Sequence, residues 1–280
     1  MKIVDTHQHL WDKDLFHYAW LEPLPVLDRS FRLGDYSEAT SGLEIDKTVF
    51  VECDVDAAQM LDEVSHVLRL ADEPGNRIAG VVASGRPEKD GFQAYLDKVT
   101  RHPKLKGIRR ILHTHPDELG LRKIFVENVA RLATFGLSFD LCVLARQLPI
   151  AFNLASKCPH VSFVLDHCGV PDVRNQVLDP WRAHIRELSS LPNVSCKLSG
   201  IVAYAHPENW QIEDLRPFVD HVIESFGWDR VMFGSDWPVC NLTASYQRWV
   251  ATVLSLTHTA GEANQRKLFH ANAIRIYRLS

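Results

Sequence analysis

Val4-Asp5-Thr6-His7-Gln8-His9 ends a short apolar segment in two histidines close to the start of the chain. Residues two apart in a β-strand point to the same face, so His7 and His9 should project together, about 7 Å apart along the strand. Two adjacent imidazoles suit a divalent metal ion or a hydrogen-bonding wall for an oxyanion. A lone His-x-His pair is often only a strand cap and a packed side chain, so the interpretation depends on the rest of the chain.

An alternation of strand and helix patterns follows this first strand and predicts the fold. Buried strands are predicted at 1–7, 47–52, 78–83, 105–109, 137–141, 161–166, 194–198 and 230–234, with helical spacing between most of them. Eight strands alternating with helices over 280 residues predict one (β/α)8 barrel of the TIM type, a single domain spanning residues 1–280. The alternative is a doubly wound sheet. Its first strand usually leads into a Gly-rich nucleotide turn, whereas this one leads into His7 and His9.

Two segments of the chain do not fit this alternation. Residues 10–44 show no clear period and are rich in aromatic residues and prolines, which is typical of a functional loop or lid, or of an excursion packed over a barrel end. Two extra C-terminal helices are predicted at about 243–256 and 261–277. We expect them to cover the side of the barrel.

Composition narrows the classes of partner. Apolar residues make up 46% of the chain, charged residues 24%, and the formal net charge is −4, as in an ordinary soluble globular protein. We therefore expect no nucleic-acid and no membrane partner. The six cysteines form no Cys-x-x-Cys pair and the chain starts without a signal-peptide pattern, so we expect reduced thiols and a cytoplasmic location.

Polar side chains follow almost every predicted strand. Because chemistry in a barrel belongs at the carboxyl ends of the strands, these residues should share one site. Structural roles in capping and in loop hydrogen bonds could explain the polar residues at two or three strand ends, but hardly those at seven. A nucleophilic Cys168 beside His167 is a weaker alternative. The strand-end residues are His7, His9, Glu52, Asp54, Arg109, Arg110, Asp140, Asp166, His167, Lys197, Ser199 and Asp236.

Five stretches together resemble the amidohydrolase superfamily. They run from residue 5 to residue 238 and are most similar to its amidohydrolase-2 branch, which includes sugar-lactone hydrolases of the fucono- and rhamnono-lactonase types and pyrone-dicarboxylate lactonases. The stretches are Asp5-Thr6-His7-Gln8-His9-Leu10-Trp11, Gly107-Ile108-Arg109, Leu165-Asp166-His167-Cys168-Gly169, Cys196-Lys197-Leu198-Ser199-Gly200 and Phe233-Gly234-Ser235-Asp236-Trp237-Pro238.

The resemblance implies a metal site. His7, His9 and Asp236 match the superfamily's metal ligands, so we expect one divalent ion, with zinc favoured. Arg109 and Asp140 stand where two-metal members carry a carboxylated lysine and a histidine, which argues against a binuclear centre. The resemblance to pyrone-dicarboxylate lactonases leaves metal-independent catalysis open.

Hydrolysis of a sugar lactone is the activity that the resemblance implies, and it assigns roles to the strand-end residues. Asp236 would activate water as the base, Arg109 would polarise the carbonyl, and His167 would line the carbonyl side. Substrate contacts are expected from Trp11, Lys197 and Trp237, and from His7 and His9.

Two other functions remain open at this stage. A metal-dependent decarboxylase or another hydrolase of the superfamily would use similar strand-end groups, and a non-catalytic sugar-binding barrel would use them without turnover. The identity of the sugar should depend on residues 10–44 and on Tyr204-Ala205-His206. The sequence leaves the oligomeric state open.

Overall fold

The computed structural model describes all 280 residues and contains one eight-stranded parallel sheet. The strands pair in sequential order, and a parallel bridge between Gln8 and Trp237 joins the end of the first strand to the segment after the eighth. The predicted TIM-type barrel is thus confirmed. The strands are β1 (Ile3–Gln8), β2 (Ile45–Val51), β3 (Ile78–Ser84), β4 (Leu105–Ile111), β5 (Ser138–Cys142), β6 (Ser162–Leu165), β7 (Val194–Leu198) and β8 (Val231–Phe233).

A helix follows each strand, and two short helices end the chain. Aliphatic and aromatic side chains between the strands and these helices form the main hydrophobic core. No helix combines the length and apolar character that a membrane crossing requires. The helices are α1 (Leu33–Ala39), α2 (Met60–Asp72), α3 (Phe92–Val99), α4 (Lys123–Ala130), α5 (Leu148–Lys157), α6 (Trp181–Ser189), α7 (Ile212–Phe226), α8 (Tyr246–Leu256), α9 (Glu262–Arg266) and α10 (Asn272–Ile276).

Helix α1 lies within residues 10–44, where the sequence predicted no regular element. The helix has only seven residues, so it lacks the repeated apolar spacing that would reveal it. Its start is fixed by the Asp35 carboxylate, which accepts a hydrogen bond from the Arg32 backbone N–H at 2.9 Å. This segment therefore supplies the first barrel helix as well as a loop over the barrel end.

The lumen of the barrel is filled from below by the end of the chain. Five valines from four strands and Met232 pack against Ala273, Ile276, Tyr277 and Leu279 in one buried cluster. A side chain at Gly80, near the start of β3, would meet Leu279 at 3.0 Å, which places this segment at the amino ends of the strands. The expectation that the C-terminal helices cover the side of the barrel was incomplete, because this segment plugs its base.

Candidate active site

A cavity of about 260 Å³ opens at the carboxyl ends of the strands. His9, Arg109, His167 and Asp236 line it, and each is at least nine-tenths buried. His7 lies directly beneath, with no exposed surface. The structure therefore brings together the five residues that the sequence assigned to metal binding and catalysis.

Asp5 fixes the position of Asp236 by joining the ends of β1 and β8. Its carboxylate accepts hydrogen bonds from the Ser235 backbone N–H at 2.8 Å and from the Ser235 hydroxyl at 2.6 Å. The next N–H, that of Asp236, donates to the His7 carbonyl at 2.8 Å. Asp236 takes a left-handed conformation, φ 56°, which aspartate tolerates better than most residues. The strand closure that completes the barrel thus also orients the Asp236 carboxylate.

His167 occupies its place because Gly200 has no side chain. A Cβ atom at Gly200 would lie 2.2 Å from His167 Nδ1 and 2.9 Å from Asp236 Oδ2. Gly200 itself has φ 64°, a region that favours glycine. The turn after β7 can therefore pass close behind the side chains of His167 and Asp236.

The spacing of His7, His9 and Asp236 fits a tetrahedral metal ion. The Nε2 atoms of the two histidines lie 3.1 Å apart, and Asp236 Oδ1 lies 3.6 Å from the first and 3.4 Å from the second. A tetrahedral zinc ion with bonds of 2.0–2.1 Å holds its ligand atoms about 3.3 Å apart. These three atoms thus match the donor set and the spacing of a zinc site with one position left for water or substrate.

The Nδ1 atoms of His9 and His167, which point away from the cavity, have different hydrogen-bond partners. His9 Nδ1 lies 2.8 Å from the Val51 carbonyl, which can only accept, so Nδ1 carries the proton and Nε2 offers a lone pair. His167 Nδ1 lies 2.9 Å from the Ser199 hydroxyl, whose oxygen also faces the His167 backbone N–H. The hydroxyl can donate to Nδ1 or accept from it, and when it donates, Nε2 of His167 carries the ring proton toward the cavity. The contacts of His9 thus fit a metal ligand, and those of His167 allow it to be a proton donor.

Two side chains face Nδ1 of His7, the Lys197 ammonium at 3.3 Å and the Asp166 carboxylate at 3.4 Å. Nε2 is available to a metal ion when Nδ1 gives its proton to Asp166. Arg109 lies 3.4 Å from Nε2. Burial lowers the pKa of His7 well below its usual value, against the opposing effect of Asp166. The ring is thus neutral at pH 7, as metal binding demands.

Charge around the lumen favours a cation at Asp236. Two buried cations, Arg109 and Lys197, face four buried carboxyl groups, and a divalent cation would balance the excess. Burial alone would raise the pKa of Asp166, but Lys197, His7 and Arg109 hold it well below its usual value. A second group of His7, Asp166 and His167 is also compact enough for a metal. It is the poorer site, because Asp166 already pairs with both cations. The four carboxyl groups are those of Glu52, Asp140, Asp166 and Asp236.

The structure places three of the predicted substrate contacts outside the cavity wall. Lys197 has no exposed surface, and its ammonium group pairs with Asp140 at 2.6 Å and Asp166 at 3.0 Å beneath the cavity. Trp11 and Trp237 are 1% and 2% exposed and lie outside the cavity wall. The Trp11 indole donates to the Arg29 carbonyl, and Trp237 packs edge-on against Phe31, so both hold the loop structure together. Cys168, considered from the sequence as an alternative nucleophile, is also fully buried and lies outside the cavity wall.

The cavity wall contains residues that the sequence did not assign. Trp20, Leu24 and Tyr204 lie in segments predicted to select the substrate, whereas His206 lies outside the wall. His113 and Thr114 come just after β4, and this position relative to a strand end was the signal that could have found them. Burial, with the charge of Arg109, lowers the pKa of His113 to about 4, so it is neutral at pH 7. The other unassigned wall residues are Cys53, Ile111, Cys142, Ala203, Val239 and Leu242.

A model of the amidohydrolase family matches residues 4–279. The chain belongs to the amidohydrolase family. It is 33% identical to an L-fucono-1,5-lactonase of Burkholderia multivorans, over 99% of this chain and 96% of that protein. It is 25% identical to an L-rhamnono-gamma-lactonase of Scheffersomyces stipitis, over 99% of each chain. A crystal structure of an amidohydrolase from Burkholderia multivorans with bound zinc superposes with a TM-score of 0.91 at 29% identity, and the match covers 100% of both chains.

Proposed function

We propose that this amidohydrolase opens a sugar lactone by attack of water on the ester carbonyl. The observation that carries the proposal is the convergence of His7 Nε2, His9 Nε2 and Asp236 Oδ1 beneath a cavity sized for a small molecule. The full-length similarity to two sugar lactonases supports the substrate class. The aldonolactones of L-fucose and L-rhamnose are the first candidates.

Asp236 is the proposed base. Its Oδ1 faces three imidazole nitrogens, with His167 Nε2 at 3.9 Å in addition to those of His7 and His9. Its Oδ2 lies toward Gly200 and receives no hydrogen bond from the protein. One oxygen is thus committed to the metal site, while the other is free to take the proton of the attacking water.

Arg109 and His167 are the proposed stabilisers of the oxyanion. Arg109 stays charged at any working pH, and its positive potential acts in a buried site where water screens it little. Nε2 of His167 faces the same region, and in the tautomer in which Ser199 donates to Nδ1 it can donate to the oxygen that gains charge or to the leaving oxygen. A zinc ion held by His7, His9 and Asp236 would supply Lewis acidity for the same carbonyl.

The cavity wall favours an uncharged lactone with an apolar edge. Trp20, Leu24 and Leu242 offer apolar surface, and the Trp20 indole is fixed by donating to the Cys53 carbonyl at 2.8 Å. The sole cationic side chain of the wall is Arg109, which Glu52 already engages, while Asp54 adds a second carboxylate. A substrate carrying its own carboxylate would find no free cation here. For the same reason we favour lactone hydrolysis over decarboxylation of an acid.

A hydrolysis assay on a panel of lactones tests this proposal. Acid release is followed with a pH indicator on L-fucono-, L-rhamnono- and D-glucono-lactones, with spontaneous opening subtracted. D-Glucaro-1,4-lactone, which carries a carboxylate, is the charged comparison. The same protein is assayed before and after chelation, with its metal content measured.

The expected result is rapid opening of at least one neutral lactone, slow opening of the glucarolactone, and loss of the rate on chelation. An unchanged rate in metal-free protein would remove the metal from the proposal and leave Arg109 and His167 as the electrophile. No turnover on any lactone by folded, metal-loaded protein would contradict the lactonase assignment. Carbon dioxide release from an aromatic or unsaturated acid would replace it with a decarboxylase.

A further inference from the structure

A chain of buried contacts links the metal site to the C-terminal segment at the base of the barrel. The Tyr277 hydroxyl donates to Asp140 Oδ2 at 2.6 Å, and the Lys197 ammonium donates to the same oxygen at 2.6 Å. Lys197 also lies 3.0 Å from Asp166 Oδ1 and 3.3 Å from His7 Nδ1. All five side chains have no exposed surface. Three polar side chains, those of Asp140, Lys197 and Asp166, thus connect Tyr277 to the proposed metal ligand His7 without any contact with solvent.

Lys197 competes with Asp166 for the same nitrogen of His7. If Nδ1 gives its proton to Asp166, the lone pair of Nε2 is available to a metal ion. If Nδ1 instead accepts a hydrogen bond from Lys197, the ring proton moves to Nε2 and that nitrogen can no longer bind a metal. In this structure the Lys197 ammonium lies within hydrogen-bond distance of Nδ1, at 3.3 Å. Metal binding therefore requires Lys197 to direct its protons at the two carboxylates instead of at His7.

The Asp140 carboxylate holds the Lys197 ammonium by accepting one of its protons. Asp140 is itself held in place, because hydrogen-bond donors contact both of its oxygens. The Ser138 hydroxyl donates to Oδ1 at 3.1 Å, while Tyr277 and Lys197 share Oδ2. Gly107 leaves room for this arrangement, since a Cβ there would lie 2.2 Å from the Ser138 hydroxyl. Without the Tyr277 hydroxyl the carboxyl group can turn about its terminal torsion, which has a broad energy well. Lys197 would then keep only Asp166 and His7 as fixed partners.

We propose that Tyr277 is a positioning residue for the metal site and acts through Asp140 and Lys197 on the tautomer of His7. This inference rests on the proposed metal site but not on the identity of the lactone. It assigns a role in metal binding to a side chain at the opposite end of the barrel from the cavity.

Tyr277→Phe isolates the hydroxyl, because the ring that fills the base of the barrel is kept. The zinc dissociation constant is measured by competition with a chromogenic chelator, and the melting temperature is measured with and without zinc. Changes of groups that support a metal ligand typically cost 10- to 100-fold in affinity, so we expect a loss of roughly 10-fold. The rise in melting temperature on zinc addition should shrink accordingly, and kcat should fall more than KM rises.

Two matched variants separate this role from a packing role. Tyr95→Phe removes a hydroxyl that donates to the Ser84 carbonyl, away from the lumen, and should leave zinc affinity unchanged. Leu279→Ala loosens the plug without touching the hydrogen-bonded chain, and should lower the melting temperature while zinc affinity is kept.

Three results would overturn the proposal. The first is a Tyr277→Phe variant with wild-type zinc affinity. The second is a Leu279→Ala variant that loses affinity equally, because the effect would then come from packing. The third is a wild-type protein that binds no zinc. Failure of the lactonase assay alone would leave these readouts intact, so the two proposals fail separately.

Discussion

Arg109 Nε lies 2.7 Å from Oε1 of Glu52, and the Nη2 group of Arg109 donates to the Glu52 carbonyl oxygen at 2.6 Å. Both side chains are at most 4% exposed. The second carboxylate oxygen of Glu52 accepts the Asp54 backbone N–H at 2.8 Å. Burial would raise the pKa of Glu52, but Arg109 lowers it below its usual value, so the pair is ionised. The guanidinium is therefore fixed in place before a substrate enters.

Glu52→Gln should destabilise the protein and impair catalysis together, because it leaves a buried guanidinium without its counter-charge. Removing one partner of a buried ion pair typically costs about 3–5 kcal/mol. We expect a loss near the lower figure, since Asp166 remains, together with a clear fall in kcat/KM. Urea unfolding and steady-state kinetics measure the two effects.

The control for this pair is Glu213→Gln. Glu213 makes a similar two-bond contact with Arg216, but in solvent on the surface of α7, where an ion pair contributes little. The urea midpoint of the Glu213→Gln variant should stay close to that of the wild type. Similar midpoint shifts in the two variants would show that Glu52 does not act as a buried counter-charge.

Asp236→Asn should abolish most activity while leaving the fold intact. The amide cannot take a proton from water and binds a metal poorly, so we expect kcat to fall by at least ~10²-fold and zinc affinity to fall with it. Kinetics, circular dichroism and chelator competition check these outcomes. Asp62→Asn, on the exposed face of α2, should change none of them. A fully active Asp236→Asn enzyme would show that another group is the base.

Gly200→Ala should reduce turnover by displacing His167. The new methyl group would overlap His167 Nδ1, and it would also strain a residue with φ 64°. A displacement of about 1 Å in a catalytic group can cost 10²-fold in rate, and we expect a loss of that order in kcat. Gly34→Ala, in α1 with nothing within 4 Å of the added carbon, should be neutral or slightly stabilising. Wild-type kinetics in Gly200→Ala would contradict the close approach.

Stability should depend on pH through Glu63, a buried carboxyl group of α2 that accepts the Cys53 backbone N–H. Burial, reinforced by Glu52, raises its pKa to about 8. An acid whose folded pKa exceeds its unfolded value near 4.5 stabilises the fold least when it is ionised, so stability should fall as pH rises from about 5 to 8. The loss should be on the order of a few kcal/mol.

Glu63→Gln should flatten this pH dependence, because the amide keeps the acceptor and cannot ionise. Urea unfolding at pH 5.5, 7 and 8.5 makes the comparison. The free energy of unfolding of the variant should rise relative to that of the wild type as the pH rises. Parallel curves for the two proteins would show that Glu63 is not neutral in the folded state.

The hydrophobic alternation was enough to predict the barrel, because each strand is buried and each helix is amphipathic. It could not reveal α1, since seven residues within an aromatic and proline-rich segment carry no repeated pattern. Nor could it place Tyr277 and Leu279 in the lumen. A buried face in the last helix has the same periodicity whether it covers the side of the barrel or fills its base.

For the site, position at a strand end predicted which residues converge but not how deep they lie. His7, His9 and Asp236 converge as expected from strands that the barrel closure brings together. Lys197 is the fourth of the five residues of β7, and its side chain enters the lumen below the cavity, away from the position where a contact with substrate was predicted. The role of Trp11 depended on loop packing, which local sequence does not encode.

Because Tyr277 and Leu279 close the base of the barrel, the cavity has no exit through the amino ends of the strands. If the protein opens a lactone there as proposed, substrate and product must both pass through the carboxyl end. In the proposed reaction an uncharged molecule becomes an anion, which would form near the carboxylates of Asp236 and Asp54 and near the guanidinium of Arg109. Release of the product through this passage would then be set by the balance between repulsion from the two carboxylates and attraction to Arg109.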